Sequence, residues 1–138
     1  MSKIIGFTAG AFDMFHVGHL NLIKNAKARC DYLIVGVNTD ELISFYKNKK
    51  AVVPLEERLQ IVESVRYVDE SIPVDTLDKE YIWNRKKFDV LFIGDDWKGS
   101  QRWNETEKIM QKHDVEVVYL PYTTGTTSTL LREKLIER

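Results

Sequence analysis

Residues 9–26 read AGAFDMFHVGHLNLIKNA. An apolar run closes on Ala9 and Gly10. A short connection carries His16, Gly18 and His19, and from there Leu20, Ile23 and Ala26 repeat at a helical period. The stretch is a strand handing over to a helix, and the rest of the chain repeats that alternation. Apolar runs at 3–8, 31–37, 89–94 and 115–121, with a shorter piece at 68–74, read as strands. Between them lie helical patterns at 18–29, in 53–68 with Pro54 near its start, at 78–88, at 105–113 and at the C-terminal end, and a short one opening at Asn38-Thr39-Asp40-Glu41. Residues 44–52, SFYKNKKAV, read as a charged loop.

Continuous apolar strands alternating with helices imply a parallel sheet covered on both faces. The expectation is one domain over residues 1–138, a doubly wound five-stranded Rossmann-like α/β fold. In such sheets ligands bind beyond the carboxyl ends of the strands, where the strand order reverses. The opening stretch, residues 93–97 (IGDDW) and residues 120–129 (LPYTTGTTST) all sit at expected strand ends. Three distant pieces of sequence thus converge on one edge of one sheet.

The bulk composition narrows the function. Lys and Arg number 20 against 21 Asp and Glu, so no broad electrostatic grip on nucleic acid is expected. A small anion needs only local positive charge. The single cysteine, Cys30, allows no intrachain disulfide, which fits a reducing cytoplasmic setting. The start MSKIIGF has no apolar run of signal-peptide length, and nothing approaches the ~20 apolar residues of a membrane span.

A helix N-terminus presents unpaired N–H groups and partial positive charge, and phosphate is its natural guest. His16 and His19 lie near that end and can donate to phosphate oxygens. On spacing alone the stretch also reads as an exposed turn with two incidental histidines. Zinc lacks further ligands, since His113 is distant and Cys30 falls on a later helix face. No Gly-Lys-Ser/Thr follows, so this is not a P-loop. Residues 123–129, TTGTTST, form a second anion-binding candidate, with Thr127 or Ser128 placed to cap the last helix.

Taken together, GAFDMFHVGH (10–19), RYVDE (66–70), GDDW (94–97) and TTGTTST (123–129) resemble four ordered blocks of the nucleotidyltransferase superfamily. The branch is that of the glycerol-3-phosphate cytidylyltransferases, and the likeness spans nearly the whole chain. The resemblance implies transfer of CMP from CTP to a small phosphorylated alcohol, with Mg²⁺ and release of pyrophosphate. It implies that His16 and His19 bind the CTP phosphates and stabilise charge at the α-phosphoryl group. Ala11 and Phe12 would line the nucleotide through their backbone, joined by Arg66, Asp96, Trp97, Tyr122, Thr123, Gly125, Thr126, Thr127 and Ser128. Lys47 would face the alcohol phosphate and Lys49 the CTP phosphates, with Lys79 a second substrate lysine. Asp95 and Asp96 would help place Mg²⁺ through the phosphates, and Asp13 would orient the turn. The family also implies a homodimer, and CDP-glycerol would serve wall or surface-polymer synthesis.

The last block departs from the family pattern: Tyr122 and Thr124 stand where an arginine and a glutamate are usual. A tyrosine hydroxyl cannot neutralise phosphate. Other acceptors therefore stay open, among them polyol phosphates, phosphocholine and phosphoethanolamine. A quaternary ammonium would want an aromatic cage, for which Tyr81, Trp83 and Trp103 are the candidates. A CTP-binding sensor without catalysis is the reading from another class.

Overall fold

The computed structural model describes residues 3–123 and 128–136. Strand β1 (Ile5–Gly10) pairs in parallel with β2 (Tyr32–Asn38) on one side and with β4 (Val90–Gly94) on the other. Strand β3 (Glu70–Val74) extends the β2 edge and β5 (Glu116–Leu120) the β4 edge, giving the order β3-β2-β1-β4-β5. All four pairings are parallel. The expected doubly wound sheet is therefore present, and its switch point falls between β1 and β4.

Both faces of the sheet are covered because its strands are apolar on both. Phe7, Ile34 and Leu91 point into a core shared with Leu42 of α2 (Asp40–Lys47), Ile82 of α4 (Lys79–Arg85), and Trp103 and Met110 of α5 (Gln101–Gln111). Leu33, Val35, Val37 and Phe92 point the other way, onto Ile23 and Ala26 of α1 (Val17–Lys27) and Val62 of α3 (Leu55–Glu63). Phe7, Leu33 and Phe92 are wholly buried, and each such side chain contributes roughly 1.5–3 kcal/mol of transfer free energy. Gly36 stands in the interior strand β2, where a Cβ would sit 2.6 Å from a Val74 methyl and 2.9 Å from the Phe7 ring.

Element boundaries shift where tertiary contacts act. β1 runs two residues further than its apolar composition implies, because Ala9 and Gly10 pair with Gly36 and Val37. The start of the expected 44–52 loop is helical: α2 is capped by the Thr39 hydroxyl, buries Leu42 and Ile43, and continues to Lys47 before Asn48 ends it in a left-handed conformation. The helix expected within 53–68 stops at Glu63, and α5 begins earlier than its pattern suggested because Ser100 caps it. The last helix, α6, spans Ser128–Ile136.

Candidate active site

A cavity of about 490 Å³ opens over the carboxyl ends of β1 and β4, at the switch point. One wall is the start of α1. His16 is the N-cap of that helix, and its Nδ1 accepts the Gly18 N–H at 3.0 Å. The His16 N–H in turn donates to Nδ1 of His19 at 3.2 Å. Imidazoles thus do the capping that Ser and Glu do in an ordinary capping box. An Nδ1 that accepts from a backbone N–H carries no proton of its own, so in both neutral rings the proton sits on Nε2. The rings stack, with centroids 3.9 Å apart. Burial lowers the His16 pKa. Burial, then the charges of His16 and Lys47, lower that of His19 to about 3. Near pH 7 the pair is a set of two neutral N–H donors already oriented by backbone.

The connection from β1 to α1 is held in a conformation its residues do not favour alone. Phe12 and Met14 both have positive φ, at 52° and 50°, and such non-glycine residues cost on the order of 1 kcal/mol each. Phe12 is buried, with its ring edge-on to His19 at 5.4 Å. Asp13 is buried, and its carboxylate accepts the N–H groups of Val52 and Val53 at 2.8 and 2.9 Å. This supports its expected part in orienting the turn and ties the segment after Lys49 to it. The Asp13 carbonyl accepts the Ser128 hydroxyl at 2.5 Å, so α6 is tied to the same loop.

Arg58 completes this frame, and sequence reasoning missed it. Its side chain is fully buried. Nε donates to Val53 O, Nη1 to the carbonyls of Ala11 and Asn38, each at 2.7 Å, and Nη2 pairs with Asp40 at 2.5 Å. One guanidinium thus joins the ends of β1 and β2, the start of α2 and the segment before α3. The available signal was its place one turn before Val62, on the buried side of α3, where an arginine is out of pattern. Ile61, an apolar residue of the expected stripe, is instead exposed. The Ala11 carbonyl is turned toward Arg58, so the expected backbone lining by Ala11 excludes that oxygen.

The cavity gathers most of the residues singled out in the sequence. Ala11, Phe12, His16 and His19 form one side, and Lys47 and Lys49 another. Asp96 and Trp97, in a 3₁₀ turn after β4, and Tyr122, Thr123 and Ser128 complete the lining. Asn21 of α1 donates to the Thr123 hydroxyl at 3.1 Å, holding the segment after β5 against the helix. Asp95 does not line the cavity; its carboxylate accepts the Tyr122 N–H at 3.1 Å and so positions that segment. Partial burial raises the pKa of the Asp96 carboxyl, and the charge of Asp95 adds to the effect.

Three expectations are corrected. Arg66 lies in the turn before β3, at the amino ends of the strands and away from the cavity, beside the Tyr67 ring. Parallel strands force this, because the segment entering a strand starts at the edge opposite the ligand. Lys79 does not line the cavity: it is buried at the start of α4, bonded to the Leu77 carbonyl. Tyr81, Trp83 and Trp103 form no cage, since Tyr81 meets Arg85, Trp83 stacks on His113, and Trp103 is buried in the core. Gly125, Thr126 and Thr127 lie outside the described residues, as does Thr124.

Residues 7–134 match the model of the Cytidylyltransferase-like family, and the chain belongs to that family. It is 40% identical over 142 residues to the glycerol-3-phosphate cytidylyltransferase of Bacillus subtilis (strain 168), covering 98% of each chain. It is 37% identical to the glycerol-3-phosphate cytidylyltransferase of Staphylococcus aureus (strain NCTC 8325 / PS 47), covering 98% of this chain and 96% of that one. Among solved structures, the lipopolysaccharide core biosynthesis protein from Thermoplasma volcanium GSS1 superposes with a TM-score of 0.75 at 23% identity, over 91% of this chain and 100% of that one. At that identity the likeness speaks for the fold.

Proposed function

With membership of the cytidylyltransferase-like family as the premise, we propose that this enzyme transfers CMP from CTP to glycerol 3-phosphate, giving CDP-glycerol and pyrophosphate. The observation that carries the reading is similarity over nearly the full length to enzymes named for that reaction. The cavity suits the chemistry.

An oxygen of the acceptor phosphate attacks the α-phosphorus in line. The bond from that phosphorus to the pyrophosphate oxygen breaks, and the electron pair leaves with pyrophosphate. No enzyme nucleophile takes part, so catalysis is positioning and charge stabilisation. His16 and His19 present Nε2–H donors that need no reorganisation, because the backbone already holds both Nδ1 atoms. Lys47 serves the acceptor phosphate and Lys49 the CTP phosphates. Ala11, Phe12, Asp96, Trp97, Tyr122, Thr123 and Ser128 enclose the nucleotide.

Mg²⁺ binds through phosphates with one or two carboxylates, and Asp96 is the lining carboxylate left for that task, since both oxygens of Asp13 accept backbone N–H groups. The ion supplies further charge neutralisation on the triphosphate. The reading extends, by family resemblance, to a cytoplasmic homodimer that feeds wall or surface-polymer synthesis. No described helix is long and apolar enough to cross a membrane.

The test is pyrophosphate release with CTP and Mg²⁺ against a panel of alcohol phosphates, with His16→Ala alongside. Release with glycerol 3-phosphate that the variant loses supports the proposal. Release only with another alcohol phosphate changes the acceptor. A raised melting temperature with CTP but no release from any acceptor points to a nucleotide sensor.

A further inference from the structure

Next to the cavity, on the α2 side, lies a cluster with more hydrogen-bond donors and positive charge than acceptors. The Arg102 guanidinium stands 5.5 Å from the ring of Trp97, which lines the cavity, and 6.0 Å from the ring of Trp103. The Lys79 ammonium lies 5.6 Å from that same Trp103 ring. Neither cation has an ion-pair partner among the described residues. Asp78, the carboxylate that acts on Lys79, is engaged in capping α4 through the N–H groups of Glu80 and Tyr81.

The surrounding groups do not redress the balance. The Tyr46 hydroxyl accepts from Asn38 at 2.9 Å, which leaves its own proton to donate, and it feels the Arg102 charge. The buried indole N–H of Trp103 has no partner among the described residues. Lys79, with burial as the first cause and Arg102 as the second, has its pKa lowered to about 8. Two cations beside one indole repel each other, and burying one without a carboxylate is costly. Ring contacts return only part of that cost. A bound anion would offset the rest.

The cluster is continuous with the cavity through two contacts. Trp97 belongs to both, and the ammonium of Lys47, a lining residue, lies 5.5 Å from the Tyr46 ring. Arg102 is exposed and on the first turn of α5, so its guanidinium is free to reach a ligand, while Lys79 adds charge from beneath.

We infer that Arg102 is a binding residue for the phosphate of the acceptor substrate, received beside Lys47 on the α2 side of the cavity. This rests on the phosphoryl-acceptor reading above and extends it. The site selects a phosphomonoester dianion over a neutral alcohol, and it acts on the acceptor, not on CTP.

Arg102→Ala and Arg102→Lys test it with two readouts. In the pyrophosphate assay the alanine variant raises the acceptor KM about tenfold or more, the loss of one charge-assisted contact. Its CTP KM stays put, and lysine restores most of the loss. Trp97 and Trp103 report binding directly, so tryptophan fluorescence titrated with glycerol 3-phosphate, and separately with inorganic phosphate, gives a midpoint without turnover. Arg102→Ala shifts that midpoint by a similar factor. A rise in CTP KM, unchanged KM values, an unshifted midpoint or a wild-type protein blind to both anions overturns the inference. If no acceptor turns over yet the midpoint shifts in the variant, the proposed function fails and the anion site stands.

Discussion

Nη1 of Arg58 lies 2.7 Å from the carbonyl oxygen of Ala11, a residue 47 positions earlier in the chain. Through that bond a helix that lines none of the cavity controls the loop that leads to His16 and His19. The same guanidinium holds Val53 and Asn38, and the Asp13 carboxylate holds the N–H groups of Val52 and Val53 from the other side. The segment following Lys49 and the segment preceding His16 are therefore parts of one hydrogen-bonded frame.

Removing Arg58 leaves three carbonyls and Asp40 without their donor. Arg58→Met is expected to lower the unfolding free energy by about 2–4 kcal/mol, because three carbonyls lose a charged donor while the half-exposed Asp40 is rehydrated. Arg58→Lys should recover little, because an ammonium cannot reach four acceptors in the guanidinium geometry. Urea unfolding followed by circular dichroism measures both. A loss below about 1 kcal/mol would contradict the frame.

His16→Ala and His19→Ala should each reduce kcat about 10²–10³-fold, the scale for losing one preorganised donor to a developing oxyanion. His16→Ala also removes the α1 cap at a cost of about 1 kcal/mol. A melting curve beside the kinetics separates the two effects, since a cap alone leaves kcat intact below the melting range.

Stability of the ligand-free protein should depend on His19 in a defined window. Its folded pKa is about 3, against an ordinary 6.5. Below about 6.5 the unfolded chain binds a proton that the folded one refuses, so stability is full above that value and falls as the pH drops towards about 3. The slope is at most about 1.4 kcal/mol per pH unit from this group. Urea midpoints for wild type and His19→Gln should keep a constant difference above about pH 7, and the wild type should lose stability relative to the variant as the pH falls from about 6.5 to 5; curves that stay parallel throughout would show that His19 is not held neutral.

Gly36→Ala places a methyl within 2.6 Å of Val74 and 2.9 Å of Phe7, on the two strands that flank β2. Overpacking of this kind costs about 1–3 kcal/mol. Thermal unfolding should show the loss, and Val74→Ala in the same chain should return part of it by freeing the space. Additive losses would mean the contact is not the cause.

Much of this could be read before any coordinates. Strands apolar on both faces, such as residues 32–38, can be covered only by helices on both sides, and that demands a parallel sheet. The position of residues 9–26 at a strand end then assigns His16 and His19 to the ligand edge, and the cavity forms there. These inferences hold because apolar period and strand-to-helix order are local properties of the chain. Lys47 falls in a stretch whose composition reads as a loop, yet it closes a helix: the burial of Leu42 and Ile43 that stabilises that helix is a tertiary event.

Arg66 and Arg58 show the remaining difference. Both are arginines near one helix, and only the resemblance of its block singled out the first. The fold puts Arg66 at the far edge of the sheet and buries Arg58 among carbonyls contributed by three other segments. The sequence by itself determined the sheet, its layers and the edge that meets ligand. Tertiary structure alone decided which charged groups stand at that edge, which lie beneath it and which hold its loops, because contacts such as those of Arg58 with Ala11 and Asn38 join residues 47 and 20 positions apart that no local period connects.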